Sequence, residues 1–154
     1  LIDSEVEEKP LGPTQDQLKA QVRTLGLEHK VYFIARVPFQ KLHQYTCSAD
    51  LGLCLIQGIG QSFYYSLPNK LFEYLMAGLP VLASNFPDMG QIVNQEGVGQ
   101  TIDPSDVSAI GKHITDLLAN TELRQQYSQA ALQAAKRYNW EHEAAKLIGL
   151  YAKF

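Results

Sequence analysis

Residues 66–83 read SLPNKLFEYLMAGLPVLA, which is a loop, a helix, a turn and a strand in succession. Asn69 is a strong helix N-cap, because its side chain can accept a hydrogen bond from an otherwise unpaired backbone N–H. Gly78 suits the left-handed residue that ends such a helix, and Pro80 can open the apolar strand that follows. The apolar face of the predicted helix consists of Leu71, Phe72, Leu75 and Met76.

The first turn of this helix carries two opposite charges, Lys70 and Glu73, on one side. The same turn has unpaired N–H groups and the positive end of the helix dipole, which together favour an anion. A cation and a carboxylate placed there can hold a diphosphate and the hydroxyls of a neighbouring sugar. The other interpretation of these two residues is a surface ion pair, and the pattern leaves both open.

The composition predicts one domain with a sizeable core, since the 154 residues are 45% hydrophobic and 19% charged. The net charge of −3 disfavours nucleic acid or an acidic membrane as the main partner. No apolar run approaches the roughly 20 residues that span a bilayer. Cys47 and Cys54 are interpreted as small apolar residues in a reducing compartment, and neither they nor the four scattered histidines form a metal motif. We therefore expect a cytoplasmic domain without a bound metal.

Strands and helices alternate along the chain, which predicts right-handed crossovers and a parallel sheet. We expect strands over 31–34, 51–56, 81–83 and 98–102, and helices over 14–25, 39–48, 88–94 and 121–138, with two more starting at Asp103 and Asn139. Thr14 and Gln17 form a capping box for the first helix. Side chains expected in the core include Leu18, Val22, Leu25, Tyr45 and Val107. The fold class is α/β, a Rossmann-like parallel sheet flanked by helices, with a helical C-terminus. The ligand of such a sheet lies beyond the carboxyl ends of its strands.

Several motifs follow one another along the chain: VxF at 31–33, ADLGL at 49–53, KxxEYxxAGxPV at 70–81, GxG at 97–99 and YNW at 138–140. In this order they resemble the C-terminal, donor-binding domain of the retaining GT-B glycosyltransferases of group 1, especially those of bacterial polysaccharide assembly. The resemblance extends from about residue 14 to the end of the chain. Its specific part is the segment from Glu73 to Val81.

The resemblance implies transfer of a sugar from a nucleoside diphosphate to a glycan or lipid-linked acceptor, with retention at the anomeric carbon. No metal or other cofactor is expected, because the sequence has no metal motif and Lys70, the backbone N–H groups and the helix dipole can neutralise the phosphate. The resemblance also implies that the Glu73 carboxylate accepts hydrogen bonds from the ribose, a role that suits two oxygens facing two vicinal hydroxyls. It places residues 66–70 at the diphosphate and the turn 35–37 at the base, where Arg36 either stacks on the base or stays solvated. The implied donor-binding residues are Tyr65, Ser66, Leu67, Pro68, Asn69, Lys70, Glu73, Ala35, Arg36 and Val37, and no catalytic residue is assigned.

The chain departs from the family pattern at Tyr65, where a first glutamate usually precedes Glu73. An Arg and a Lys that grip the diphosphate in many members are expected before Leu1, as is the acceptor-binding domain. We therefore expect residues 1–154 to be the donor-binding half of a two-domain enzyme, lacking its first strand–helix unit, which folds but does not transfer sugar by itself. The full-length enzyme is expected in the cytoplasm, with peripheral association at the inner membrane face. Trp140 is expected to be a buried anchor of the last helix.

Two other functions fit parts of this pattern. A nucleotide-sugar epimerase can share the architecture, but it needs an acid–base pair near the sugar carbon, and the sequence offers no convincing pair. A binding module that kept the fold and lost the chemistry is favoured by Tyr65 and opposed by Lys70 and Glu73. Titration with nucleoside diphosphates separates a binder from a scaffold, and sugar transfer by the full-length protein separates a transferase from both.

Overall fold

The computed structural model describes residues 13–152, and the chain divides into two compact units between Pro38 and Phe39. In the first unit, helix α1 (Gln15–Thr24) begins with the expected capping box. Thr14 Oγ1 accepts the Gln17 N–H at 3.3 Å, and Gln17 Oε1 accepts the Thr14 N–H at 2.8 Å. The start of α1 is therefore confirmed in detail.

Two expectations for the first unit are wrong. The apolar stripe of α1 is not buried, since none of its residues is buried and Leu25, at its end, is 60% exposed. Residues 31–34 form no strand, and the Val31 N–H donates instead to the Leu27 carbonyl, 2.9 Å away, in a local turn. A β-branched and aromatic run becomes a strand only when a neighbouring strand supplies hydrogen-bond partners, and a local pattern does not contain that information.

The second unit is built on a parallel sheet, which has three strands among the residues that the structure describes. The strands are β1 (Gly52–Cys54), β2 (Val81–Ser84) and β3 (Gly99–Ile102), with β2 in the centre. Gly52 lies opposite Val81, which in turn lies opposite Gly99. The predicted parallel α/β fold is confirmed. Strand β1 is shorter than predicted, and its Leu53 is 40% exposed.

The helices of the second unit are α2 (Phe39–Cys47), α3 (Gln61–Tyr64), α4 (Asn69–Met76), α5 (Pro87–Glu96), α6 (Val107–Ala119), α7 (Thr121–Ala135) and α8 (Trp140–Tyr151). Helix α3 lies within residues 57–68, for which the sequence predicts a loop. Pro68, rather than Asn69, occupies the N-cap of α4, and Asp106, rather than Asp103, caps α6. Composition identifies capping residues, but the backbone dihedral angles decide which of several neighbours takes the position. Gly78 has the expected positive φ, +67°, after α4.

The core occupies both faces of the sheet. On one face, Leu71 and Leu75 of α4 pack with Ala83 of β2 and with apolar residues of α5 and α7. On the other face, Leu82 packs with Leu117 of α6. Successive residues of a strand point to opposite faces, so β2 contacts both layers. Helix α4 is thereby held against the sheet by its buried leucines.

Several side chains that were expected in the core are exposed instead. The exposed fractions are 49% for Tyr45, 55% for Met76, 78% for Val107 and 70% for Trp140. Helical periodicity identifies an apolar face, but the neighbouring elements decide how much of that face is covered. Trp140 is therefore a surface side chain in this structure and not the predicted buried anchor.

Candidate functional site

The first turn of α4 lies at the carboxyl edge of the sheet. The chain leaves the carboxyl end of β1, passes through α4 and returns to the amino end of β2, so the N-terminus of α4 faces the strand ends. Pro68 at the N-cap makes no side-chain hydrogen bond to the helix. Lys70 and Glu73 are both half-buried in this turn. The turn thus combines uncapped backbone N–H groups with one cation and one carboxylate.

Lys70 and Glu73 do not form an ion pair with each other. The ion pairs within residues 13–152 are Lys112–Asp116, Arg137–Glu96 and Lys146–Glu143. The structure therefore does not support the surface-pair interpretation. Neither charge is part of an ion pair within the described part of the chain.

The positive charge of Lys70 affects the pKa of Cys54, at the end of β1. Cys54, the last residue of β1, is fully buried, and this burial raises the pKa of its thiol. The positive charge of Lys70 offsets part of that increase. The charge of Lys70 therefore acts electrostatically on the last residue of β1.

Tyr74, the neighbour of Glu73 in the chain, packs on β1. The Tyr74 ring lies directly over Gly52, where an added Cβ would come within 2.5 Å of the ring. Its hydroxyl donates to the Leu53 carbonyl at 3.3 Å. Burial raises the pKa of the Tyr74 phenol, and Cys54, once its thiol is ionised, and the Glu73 carboxylate raise that pKa further. Tyr74, the residue next to Glu73, thus joins α4 to β1 through its ring and its hydroxyl.

The Glu73 side chain lines a cleft between α2 and α4 with a volume of about 330 Å³. The other lining residues are Phe39, Gln40, Leu42, His43, Thr46 and Met76. Sequence reasoning missed the α2 side of this cleft. A signal was present, since Phe39, His43 and Thr46 recur at the spacing of one helix face. The cleft has the size of a small-ligand pocket and one carboxylate in its wall.

None of residues 66–70, predicted to hold the diphosphate, lines that cleft. Leu67 and Asn69 line a separate groove of about 660 Å³, together with Phe72 and the exposed Trp140. The Ser66 hydroxyl donates to the Phe63 carbonyl at 2.8 Å, so it is engaged within its own loop. The structure therefore separates Glu73, which lines the cleft beside α2, from Leu67 and Asn69, which line the groove beside Trp140.

Tyr65 belongs to an aromatic cluster at the end of α3. Its ring meets the Tyr64 ring edge-on, with centroids 5.0 Å apart, and the Tyr64 ring lies 4.9 Å from that of Phe86. Tyr65 is 58% exposed, whereas Phe86 is buried. An exposed aromatic face backed by a buried one is a stable surface for a ligand, but it carries no charge, unlike the expected glutamate.

Ala35, Arg36 and Val37 lie in the first unit, in a segment without regular secondary structure. Their predicted place at the edge of the base stays a prediction. Within residues 13–152, no group of three or more His, Cys, Asp and Glu side chains could hold a metal ion. None of the helices described here has the length and apolar character needed to cross a bilayer.

Comparison with known proteins identifies the family. The family model described as "Glycosyl transferases group 1" matches residues 11–134. A phosphatidyl-myo-inositol mannosyltransferase of Mycobacterium leprae is 28% identical over 137 residues, which are 89% of this chain and 35% of that protein. The chain thus spans about a third of the length of this curated relative.

Two solved structures share the fold. Sucrose-phosphate synthase from Thermosynechococcus elongatus superposes with a TM-score of 0.76 at 21% identity, over 90% of this chain and 33% of that one. The C-terminal domain of the group 1 glycosyl transferase LpcC from Francisella tularensis superposes with a TM-score of 0.64 at 17% identity, over 80% of this chain and 60% of that one. With the family model matching most of its length, the chain belongs to the group 1 glycosyltransferases and has the fold of their C-terminal GT-B domain.

Proposed function

We propose that this chain is the donor-binding domain of a retaining glycosyltransferase and that it binds a nucleoside-diphosphate sugar at the first turn of α4. Membership of the family supports sugar transfer as the reaction. The observation that carries the proposal is the uncapped N-terminus of α4, at which Lys70 and Glu73 stand without pairing to each other. Such a turn attracts phosphate through its N–H groups, its dipole and its cation.

The donor is held at two points. Lys70 and the backbone N–H groups of the turn bind the diphosphate, while Glu73 accepts hydrogen bonds from the ribose in the cleft between α2 and α4. In the transfer step, the bond between the anomeric carbon and the diphosphate oxygen breaks, the oxygen of an acceptor hydroxyl bonds to that carbon, and the hydroxyl proton passes to the departing diphosphate. Negative charge then develops on the departing diphosphate. Lys70 and the helix terminus stabilise that charge, so catalysis is mainly positioning and electrostatic stabilisation.

The acceptor is a glycan or a lipid-linked sugar. The Mycobacterium leprae relative is by name a mannosyltransferase that acts on a phosphatidyl-inositol, which supports a hexose donor and an acceptor with a lipid anchor. This acceptor is bound by a domain outside the present chain. The full-length enzyme works in the cytoplasm and associates peripherally with the membrane that carries its acceptor.

Calorimetric titration of Glu73→Gln and Lys70→Ala tests the donor site. The ligands are UDP, GDP and ADP, each compared with its nucleoside. A charge-assisted hydrogen bond contributes about 1.5–3 kcal/mol, so Glu73→Gln weakens the binding of nucleotide and nucleoside alike by roughly tenfold or more. Lys70→Ala weakens the nucleoside diphosphate much more than the nucleoside, because the partner of Lys70 is phosphate.

Matched controls are Glu122→Gln in the first turn of α7 and Lys112→Ala in α6, both exposed and both outside the site. Each control keeps wild-type affinity and removes the same charge as its partner variant. Wild-type affinity in Glu73→Gln would refute the ribose role. The absence of nucleotide binding by the wild-type chain would refute the donor site as a whole.

A further inference from the structure

Ser84 is the last residue of β2 and has no exposed surface. Among the described residues, its side chain is the buried polar one in the core. Its hydroxyl accepts the Ile56 N–H at 2.7 Å and donates to the Ile56 carbonyl at 2.8 Å. A single side chain thus satisfies both backbone groups of a residue 28 positions away. Buried backbone groups need such partners, because leaving them unpaired is costly.

Ile56 needs this partner because strand pairing ends before it. The hydrogen-bonded ladder between β1 and β2 ends at the Cys54–Ala83 pair, two residues before Ile56. The Ser84 hydroxyl extends the connection between the two strands to Ile56. Ile56 is also where the chain enters the segment 57–68, which leads to the first turn of α4.

Phe86, which follows β2, supports the middle of the segment 57–68. Phe86 packs against the Tyr64 ring, 4.9 Å between centroids, and an added Cβ on Gly58 would lie 3.1 Å from the Phe86 ring. The side-chain amide of Gln57 donates to the Pro104 carbonyl, 2.7 Å away in the loop after β3. The beginning and middle of the segment therefore rest on residues that follow β2 and β3.

We propose that Ser84 is a positioning residue for the diphosphate site. This inference rests on the proposed function. Ser84 fixes the backbone at which the segment 57–68 leaves the sheet, and the segment then delivers the N–H groups of the first turn of α4 in a fixed place. A site that is ordered before the ligand arrives loses less conformational entropy on binding. The Ser84 hydroxyl thus acts on the diphosphate through the backbone and without touching it.

The test combines Ser84→Ala, Ser84→Thr and a matched control, Ile102→Val. Ile102 is buried and lies opposite Ser84 in β3. Its replacement by valine removes core packing beside Ser84 but leaves the hydrogen bonds between Ser84 and Ile56 in place. The nucleotide used is the one of UDP, GDP and ADP that the wild type binds. Ser84→Ala lowers the affinity for this nucleotide by roughly tenfold and changes the affinity for its nucleoside less than about twofold. Hydrogen exchange of the Ile56 amide accelerates at least about tenfold over the control. Ser84→Thr keeps the hydroxyl and restores both readouts.

Two outcomes overturn the proposal. If the wild type binds the nucleoside diphosphate and Ser84→Ala binds it equally well, the positioning role is wrong while the donor site stands. If the wild type binds none of the three nucleotides, the donor site and the positioning role fall together. Where Ser84→Ala does not fold, Ser84→Cys replaces it, because a thiol of similar size is a much weaker hydrogen-bond donor and acceptor. Ser84→Cys is expected to weaken nucleotide binding as Ser84→Ala does, and unchanged binding by Ser84→Cys would likewise refute the positioning role.

Discussion

The substitution Gly52→Ala tests how α4 is seated on β1. The added Cβ would lie 2.5 Å from Cδ2 and 2.7 Å from Cγ of the Tyr74 ring. Carbon atoms in good contact are about 3.5–4.0 Å apart, so the overlap is roughly 1 Å. The ring does not move away freely, since its hydroxyl bonds to the Leu53 carbonyl. Overpacking of this kind costs about 1–3 kcal/mol of unfolding free energy.

The assay is urea unfolding followed by circular dichroism, in the wild-type and Tyr74→Ala backgrounds. Once the ring is removed, Gly52→Ala stabilises the strand by about 0.5–1 kcal/mol, because glycine loses more conformational entropy on folding than alanine. The sign of the effect therefore reverses between the two backgrounds. Gly60→Ala is the control, as its Cβ would meet nothing within 4 Å. An equal cost of Gly52→Ala in both backgrounds would refute the reasoning.

Three further predictions concern the surface and the turns. Trp140→Ala changes the unfolding free energy by about 0.5 kcal/mol or less because the ring is 70% exposed, and a cost of about 3–5 kcal/mol in urea unfolding would show that it is buried. Gly78→Ala lowers the melting temperature more than Gly97→Ala does: both have positive φ, but at Gly78 the Cβ also lies 3.0 Å from a side chain of α7. The hydroxyl and then the N–H of Ser105 lower the pKa of Asp103, so this carboxylate stabilises the fold above its unfolded pKa and the effect is lost as the pH falls through the folded value. Ser105→Ala raises that pKa in an NMR titration, and an unchanged value would contradict the assignment.

The sequence by itself determined the features that depend on neighbours in the chain. Helix ends at Thr14, Gly78 and Asn139 were predicted from capping chemistry, and the structure confirms each of them. A cap involves residues three or four positions apart, so its chemistry is present in the local sequence, although the caps expected at Asn69 and Asp103 formed at nearby residues. The alternation of strands and helices likewise predicted the parallel sheet, and the motif from Glu73 to Val81 predicted the family. Lys70 and Glu73 were found as candidates on local grounds alone.

Only the tertiary structure decided which distant groups meet. The run at 31–34 has the residues of a strand, but no strand forms there, because strand formation depends on a partner that the run does not contain. The α2 wall of the Glu73 cleft and the bonds between Ser84 and Ile56 join parts of the chain that lie far apart in sequence. Burial followed the same rule, since an apolar stripe such as that of α8 is covered only where another element packs on it. Local patterns specify elements, and long-range packing specifies contacts, so the position of the candidate site was predictable while its walls and supports were not.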